Sequence, residues 1–334
     1  MTPGLTGPRS VLQVHPTRRC NLSCRHCYSS SGPRVDQWLP LPPLRAAVAD
    51  AARLGYGVLG VSGGEPLLYP PLAALLATAR EHGMGTTVTT NGMLLTERRL
   101  AELAGLVDVL AISLDGTPES HARIRRDARS FTRMESRLRG LRKSGMAFGF
   151  VFTLTQFNVH ELDWVARFAT DAGASLLQVH PLEPEGQAAE GLTGAVPDST
   201  ELAFALLEAV RVRSAGALAV QVDVTTRGEL RQRPQVFVPA RSHLAGPLGS
   251  WLTPLVIETD GTVTPLTYGF PRRYALGTVR DHTLADLARD WDAEPFRALC
   301  ADVHERLASE SGPPFANWYE EVTRAARALT PLAR

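Results

Sequence analysis

The sequence predicts an α/β fold, in which helices cover a parallel β-sheet, followed by a smaller C-terminal part with a different pattern. In the first half of the 334-residue chain, short β-rich runs alternate with helical patterns through six β/α units. Such alternation is typical of a parallel sheet. Right-handed crossovers curl a sheet of this kind towards a full or partial barrel. Beyond residue 250 the alternation stops and a hairpin pattern begins.

The six predicted strands are short runs rich in β-branched or aromatic residues: 11–14, 58–61, 85–90, 107–113, 147–155 and 176–180. The helices between them carry apolar residues at helical spacing: 41–54, 71–82, 97–106, 130–144 and 159–172. Ligands bind at the carboxyl ends of the strands in such folds, so we expect functional residues in the loops that follow the strands.

The second half departs from this pattern. A loop is predicted at residues 183–198, a helix at 201–213, a strand at 218–224 and a long loop or linker at 225–250. A hairpin follows, in which a turn containing Asp260-Gly261 joins strands 254–258 and 262–266. Two helices close the chain, at residues 284–298 and 318–329.

Basic and acidic residues nearly balance, because 35 Lys and Arg against 34 Asp and Glu give a net charge of +1. A chain with so little net charge has no general electrostatic attraction to nucleic acid or to a membrane surface. No apolar run reaches the ~18 residues that indicate a membrane span, and the start lacks the pattern of a secretory signal. We therefore expect a cytoplasmic protein with neither a nucleic-acid nor a membrane partner.

Three of the four cysteines lie close together, directly after the first predicted strand. Cys20, Cys24 and Cys27 have the spacing C-x3-C-x2-C, and Cys300 stands alone. Three thiolates in one loop can hold three irons of a [4Fe–4S] cube and leave the fourth iron open to a small chelating ligand. Zinc, with a histidine such as His26 as a further ligand, is the competing metal. Unliganded thiols are the third alternative, although clustered free thiols oxidise readily.

The residues around these cysteines, at positions 17–28, resemble the signature of the radical S-adenosylmethionine (radical SAM) enzymes. The resemblance continues in order over roughly residues 10–180 and follows the ends of successive predicted strands. Its later members are Ser62-Gly63-Gly64-Glu65-Pro66, Thr90-Asn91-Gly92, Ser113-Leu114-Asp115-Gly116 with His121 and Arg125, and finally Thr153, Thr155 and Asn158. A GGEP segment alone would be weak, but the ordered set is specific.

The resemblance implies a partial (β/α)6 TIM-like barrel with two cofactors, one [4Fe–4S] cluster and S-adenosylmethionine (SAM). It implies that Cys20, Cys24 and Cys27 ligate the cluster. The residues that it implies beside SAM are Gly63, Gly64, Glu65, Pro66, Thr90, Asn91, Ser113, Asp115, Arg125 and Thr153. Of these, Arg125 would pair with the SAM carboxylate, or else lie on a solvated face of the Arg-rich segment 123–129. Without the cysteines, a plain strand-to-helix turn would explain the two glycines.

The C-terminal part resembles the SPASM/twitch extension of radical SAM peptide-modifying enzymes, over residues 256–266, 276–279 and 283–291. In that extension a cysteine follows the hairpin proline and further cysteines hold auxiliary clusters, whereas this chain has Leu266 there and only Cys300 elsewhere. One thiol cannot hold a conventional cluster, so we expect no auxiliary cluster. We assign the partial barrel to residues 8–215 and a small α+β extension to residues 216–334.

Cys300 and Tyr268 are the candidate catalytic residues outside the cofactor set. Cys300 is expected to be a buried helix residue, a hydrogen donor to a product radical or an auxiliary ligand. Tyr268, together with His180 and Asp223, is a candidate to face the barrel mouth as a partner for substrate, proton or hydrogen atom.

The family's chemistry implies reductive cleavage of SAM to a 5′-deoxyadenosyl radical, which abstracts a substrate hydrogen. The electron would come from a donor such as flavodoxin or ferredoxin. The SPASM-like tail favours a ribosomally made precursor peptide as substrate, and the roughly ten residues before the first strand suggest a separate leader-recognition protein. A small molecule, such as a sugar, nucleoside or natural-product intermediate, is the alternative substrate. A non-catalytic zinc- or cluster-binding protein is the third possibility.

Overall fold

A ten-stranded mixed sheet runs through the computed structural model, which describes residues 10–216 and 218–329. Its strands are β1 (Val11–Val14), β2 (Val58–Val61), β3 (Gly85–Thr90), β4 (Val109–Ser113), β5 (Phe148–Leu154), β6 (Leu176–Pro181), β7 (Ala219–Val222), β9 (Leu255–Ile257), β10 (Thr262–Pro265) and β11 (Gly277–Thr278). A separate pair consists of β8 (Thr225–Thr226) and β12 (Phe315–Ala316).

The sheet order is β11-β10-β9-β1-β2-β3-β4-β5-β6-β7. Strands β1 to β7 pair in parallel with their neighbours, as in the register Val11↔Val58 between β1 and β2. The order of the described strands ends at β7 on one side and β11 on the other, so the barrel is partial. The predicted α/β fold with a partial TIM-like barrel is therefore confirmed.

Helices connect the parallel strands and cover the outside of the sheet. The first seven are α1 (Leu41–Arg53), α2 (Leu72–Glu81), α3 (Glu97–Leu103), α4 (Pro118–Arg125), α5 (Ser130–Ser144), α6 (Leu162–Ala172) and α7 (Gln187–Gly191). The remaining six are α8 (Ser199–Ser214), α9 (Arg227–Gln232), α10 (Pro234–Phe237), α11 (Leu284–Asp290), α12 (Glu294–Ala308) and α13 (Trp318–Ala328). None of the helices in residues 10–216 and 218–329 is both long enough and apolar enough to cross a membrane.

The core lies between the sheet and these helices. Strand side chains such as Leu12, Leu59, Leu110, Phe150 and Phe152 are fully buried in it. Parallel strands that are covered by helices read as near-continuous apolar runs, which explains why the sequence located β1, β2 and β3 at their observed bounds.

The C-terminal hairpin joins the same sheet. Strand β9 pairs in parallel with β1, and β10 pairs antiparallel with β9 in the register Val263↔Ile257. The predicted turn is present, with Gly261 at φ +94°, a backbone conformation that favours glycine. The hairpin therefore extends the sheet beyond β1, while β7 extends it beyond β6.

Three predicted elements differ from the structure. Residues 183–198, predicted as a loop, contain the helix α7, whose 5 residues are too few to show helical periodicity. Residues 225–250, predicted as a loop or linker, contain β8, α9 and α10, because Thr226 and Glu229 form a capping box that starts α9. The helix predicted at residues 284–298 is two helices, α11 and α12, and Pro295 lies in the first turn of the second. Helix periodicity does not reveal such a break, because both segments keep their apolar spacing.

Removing a core side chain from the central strand β4 should destabilise the fold strongly. We expect Leu110→Ala to cost about 2–5 kcal/mol, because Leu110 is fully buried and the cavity is not refilled. The matched control is Leu207→Ala on α8, where the side chain is 70% exposed and the cost should lie within about 0.5 kcal/mol. Urea unfolding followed by circular dichroism measures both, and equal costs would contradict the assigned core.

Candidate active site

The segment after β1 carries the three clustered cysteines around a cavity of about 160 Å³. Cys20 and Cys24 are buried, Cys27 is half-buried, and none of the three is in a disulfide. Main-chain bonds fix the segment: Cys20 N–H donates to the Gly32 carbonyl (3.2 Å) and Arg25 N–H to the Ile124 carbonyl (2.8 Å). All three side chains line the cavity, so the structure brings together the residues that the spacing singled out.

The loop after β2 lies directly against this segment. Gly64 N–H donates to the Thr17 carbonyl (2.8 Å), and Glu65 N–H donates to the Arg19 carbonyl (2.9 Å). A Cβ atom on Gly64 would lie 2.3 Å from the Arg19 oxygen, and one on Gly63 would lie 2.7 Å from the Thr17 oxygen. Both positions therefore require glycine for the approach of two backbones, and both also line the cavity.

Glu65 joins two loops rather than facing the cavity, and its carboxylate is fully buried. Oε1 accepts hydrogen bonds from the Thr90 hydroxyl (2.8 Å) and Leu67 N–H (3.1 Å), and Oε2 accepts one from Asn91 N–H (2.9 Å). Burial raises the pKa of Glu65, while these donors act in the opposite direction. The side chain positions the loop after β3, and a direct bond to the SAM ammonium group stays a prediction, as does the role of Pro66.

The loop after β3 is tied in turn to the cysteine segment. The Asn91 side-chain amide donates to Asn21 Oδ1 (2.8 Å), and its own oxygen accepts from Met93 N–H (3.1 Å). Thr90 and Asn91 both line the cavity. Their side chains therefore fix the wall of the cavity through bonds within the protein.

Ser113 and Thr153 stand at the ends of β4 and β5, and both line the cavity. Neither hydroxyl makes a hydrogen bond to another part of the described chain, residues 10–216 and 218–329. Both hydroxyls are therefore available to a ligand that carries hydroxyl groups of its own, such as a ribose.

A buried ion pair lies behind the cavity. Arg125 Nε donates to Asp115 Oδ2 (2.6 Å), and His26 Nε2 lies 3.2 Å from the same oxygen. Burial opposes ionisation of Asp115, but the charges of Arg125 and His26 outweigh it and hold the pKa of that carboxyl well below its usual range. Arg125 also lines the cavity, 3.9 Å from Cys24 Sγ. The solvated-face interpretation of Arg125 is therefore wrong, because the side chain is buried.

The cavity fits a group larger than a single metal ion. In residues 10–216 and 218–329, no three His, Cys, Asp or Glu side chains are arranged to hold one ion. The three thiols instead line a cavity whose other walls include glycine backbone, hydroxyl groups and the side chains of Arg125, His180 and Glu183. The residues present therefore fit a cluster with an adjacent ligand better than a zinc ion.

A hydrogen-bonded histidine stands on the far wall of the cavity, at the end of β6. His180 Nδ1 lies 2.9 Å from Asp223 Oδ2, and its Nε2 lies 3.3 Å from Glu183 Oε1. Burial alone would lower the pKa of His180, but the two carboxylates outweigh it and raise the pKa to about 10. The sequence names His180 and Asp223 among the candidates for the barrel mouth but does not reveal that they pair, nor that Glu183 joins them, because a glutamate in a loop gives no motif.

The two candidate catalytic residues lie apart from this cavity. Tyr268 packs against His15 (ring centroids 4.8 Å apart) and Tyr28 (5.8 Å), beside the end of the cysteine segment. Cys300 is buried on α12 and lines a different cavity. The structure therefore does not bring the Cys300 thiol to the wall formed by the other three, and both catalytic roles stay predictions.

The ion pairs of His180 predict a pH-dependent stability. A pKa raised from 6.5 to about 10 means that this contribution is complete below pH 6.5 and is lost as the pH rises through about 10. We therefore expect the difference in urea midpoint between the wild type and His180→Gln to shrink over that window. His82→Gln, at an exposed histidine on the C-terminal side of α2, is the matched control. A difference that stays constant from pH 6.5 to 10 would contradict the assigned ion pairs.

Comparison with known proteins agrees with this geometry. Residues 14–169 match the sequence profile of the Radical SAM superfamily. Fe-coproporphyrin III synthase of Methanosarcina barkeri is 33% identical over 46% of this chain and 39% of its own length. Pre-heme d1 synthase of Dinoroseobacter shibae is 27% identical over 84% of this chain and 73% of its own length. Mycofactocin maturase MftC of Mycobacterium ulcerans is 33% identical over 52% and 47%, so the chain spans about half or less of two of these relatives.

Solved structures show the same fold at low sequence identity. anSMEcpe with bound AdoMet (SAM) superposes with a TM-score of 0.66 at 18% identity and covers 95% of this chain and 96% of its own. SuiB of Streptococcus suis, bound to the precursor peptide SuiA, superposes with a TM-score of 0.66 at 15% identity over 87% and 66%. We conclude that residues 14–169 of this chain form a radical SAM domain, and that the enzymes of this superfamily use a [4Fe–4S] cluster and SAM as cofactors.

Proposed function

We propose that this radical SAM enzyme holds one [4Fe–4S] cluster on Cys20, Cys24 and Cys27 and modifies a ribosomally made precursor peptide. The observation that carries the proposal is the single cavity that the three thiols share with Gly63, Gly64, Thr90, Asn91, Ser113, Arg125 and Thr153. When bound, the cluster and SAM supply one-electron cleavage of SAM and hydrogen abstraction from the substrate.

The residues of the chain bind and orient the cofactors in this proposal. The hydroxyls of Ser113 and Thr153 bond the ribose, and the Arg125 guanidinium bonds the SAM carboxylate. Asp115 acts through Arg125, because its carboxylate holds the guanidinium at 2.6 Å. Glu65 acts through the loop after β3 as well as on the SAM ammonium group. An electron donor of the flavodoxin or ferredoxin class completes the system.

The peptide substrate is supported by the names of similar proteins. One relative is a mycofactocin maturase, and the superposed SuiB structure carries a precursor peptide. We further propose that residues 216–334 are a SPASM/twitch-like extension of a barrel that occupies residues 8–215; residues 8, 9, 217 and 330–334 of these ranges lie outside the part of the chain that the structure describes. The hairpin β9–β10 supports this assignment, and Leu266 at its end replaces the cysteine of that extension.

A small-molecule substrate is the second candidate. It is favoured by two relatives that are named for tetrapyrrole products, Fe-coproporphyrin III synthase and pre-heme d1 synthase. The second of these aligns over 84% of this chain, including the C-terminal part. Incubation of the reduced protein with SAM and either candidate peptides or tetrapyrroles, followed by mass spectrometry, separates the two.

The cluster assignment predicts a loss of iron from single cysteine variants. We expect about four irons per chain after anaerobic reconstitution, and 5′-deoxyadenosine after reduction with SAM. Cys20→Ala, Cys24→Ala or Cys27→Ala should each abolish SAM cleavage and lower bound iron, because each removes one ligand of the cube. Cys300→Ala is the control for iron content, which it should leave unchanged. Normal turnover in any of the first three would refute the assignment, and zinc without iron would favour a non-catalytic protein.

The close approach of the two loops predicts a second way to disturb the cluster site. We expect Gly64→Ala to lower the iron bound after reconstitution, because its Cβ would lie 2.3 Å from the Arg19 oxygen, next to Cys20. Gly191→Ala, at a glycine whose Cβ would meet nothing within 4 Å, is the matched control. Iron content and the thermal unfolding midpoint are measured for both. Full iron content in Gly64→Ala would show that the backbone contact does not support the site.

A further inference from the structure

A second cavity, of about 300 Å³, lies among β7, the helices α9, α10, α12 and α13, and the hairpin. Much of its wall is aromatic: Phe237, Trp251, Phe296, Trp318 and Tyr319. Its volume is at the lower end of the ~300–1,000 Å³ typical of sites for small ligands. The cavity therefore has room for a compact group and offers that group flat apolar surfaces.

One hydrogen-bonded pair connects this cavity with the cysteine-lined cavity. His180 lines the cavity of the cysteines, Asp223 lines the aromatic cavity, and their side chains are 2.9 Å apart. Asp223 is fixed further by the Gln178 amide at 2.8 Å. Where these two residues meet, a molecule bound in the aromatic cavity is separated from the cysteine-lined cavity by the side chains of His180 and Asp223 and not by packed core residues.

One residue of the aromatic wall, Trp251, carries an unsatisfied donor. The indole N–H of Trp251 is buried and has no hydrogen-bond partner within residues 10–216 and 218–329. Its ring is held flat against Trp291, with an interplanar angle of 2° and centroids 6.0 Å apart. A buried N–H without a partner costs free energy that an occupant with a carbonyl group would recover. Asp223 in the same wall offers a carboxylate oxygen to a donor such as a phenol or an amide.

We propose that the aromatic cavity binds an aromatic side chain of the substrate peptide, together with the amide next to it. This proposal rests on the proposed peptide substrate and specifies which part of it is recognised. Stacking surfaces suit a flat ring, the Trp251 N–H suits the adjacent carbonyl, and the neighbouring cysteine-lined cavity lies on the other side of the His180–Asp223 pair. A volume of about 300 Å³ suits a single ring with its adjacent amide better than a tetrapyrrole macrocycle with four linked rings.

A substitution at Val236 can block the mouth of the cavity without placing a larger side chain in the core. It lines the cavity on α10, and its side chain is 58% exposed. We expect Val236→Trp to weaken binding of N-acetyl-L-tyrosinamide about tenfold, as measured by saturation-transfer NMR on the reconstituted protein with SAM. Trp251→Phe, which keeps an aromatic ring but removes the N–H together with the five-membered ring of the indole, should weaken the same probe by about threefold to tenfold.

Two controls separate a specific site from general effects. Leu207→Trp adds an indole at a 70% exposed position on α8, outside the cavity lining, and should bind the probe as the wild type does. Unfolding midpoints and iron content show that Val236→Trp has folded. N-acetyl-L-leucinamide, which has the same amide but no ring, should bind more weakly than the tyrosine probe.

Several results would overturn the proposal. The first is that the tyrosine probe does not bind to the wild type. The second is that the tyrosine probe binds equally well to Val236→Trp and to the wild type. The third is that coproporphyrin III binds to the wild type and that Val236→Trp alone removes this binding. Failure of the proposed function gives a different result, because the binding measurement does not depend on turnover. Loss of SAM cleavage with intact probe binding would refute the radical chemistry only, whereas normal cleavage without probe binding would refute only the aromatic site.

Discussion

The contact between the cysteine segment and the loop after β2 is the constraint on which the rest of the site depends. Two main-chain hydrogen bonds, from Gly64 to Thr17 and from Glu65 to Arg19, join the segments. They can form only because Gly63 and Gly64 have no Cβ atom that would keep the two backbones apart. The ends of β1 and β2 bring the two segments together, so the parallel sheet and the glycines jointly set the position of the three thiols.

Buried carboxylates extend this arrangement outward from the cysteines. Glu65 links the loops after β2 and β3 through three accepted hydrogen bonds, and Asp115 holds Arg125 and His26 behind the cavity. Each carboxylate is buried, and burial without these donors and charges would be costly. Several residues that the motifs associate with SAM thus position their neighbours through bonds inside the protein. Ser113 and Thr153 differ from them, because their hydroxyls make no hydrogen bond within the described residues and can therefore bond a ligand.

The C-terminal part supports the site, although none of its described residues lines the cysteine-lined cavity. Its strand β9 pairs with β1, and Asp223, which directly follows its strand β7, reaches His180 on β6. The same part places Cys300 beside an aromatic cavity and away from the other thiols. The surroundings of the cysteine-lined cavity are therefore set by both halves of the chain.

The sequence by itself determined the parallel sheet, the hairpin and the cysteine site, because these depend on local spacing: apolar periodicity, an Asp-Gly turn, and motifs that follow strand ends. It also located most residues of the cavity wall, since successive parallel strands bring their carboxyl ends to one edge. Only the tertiary structure decided what those residues touch. The inward bonds of Glu65, the burial of Arg125, the partnership of Glu183 with His180 and the cavity around Cys300 all join residues distant in sequence, and local patterns carry no record of such contacts.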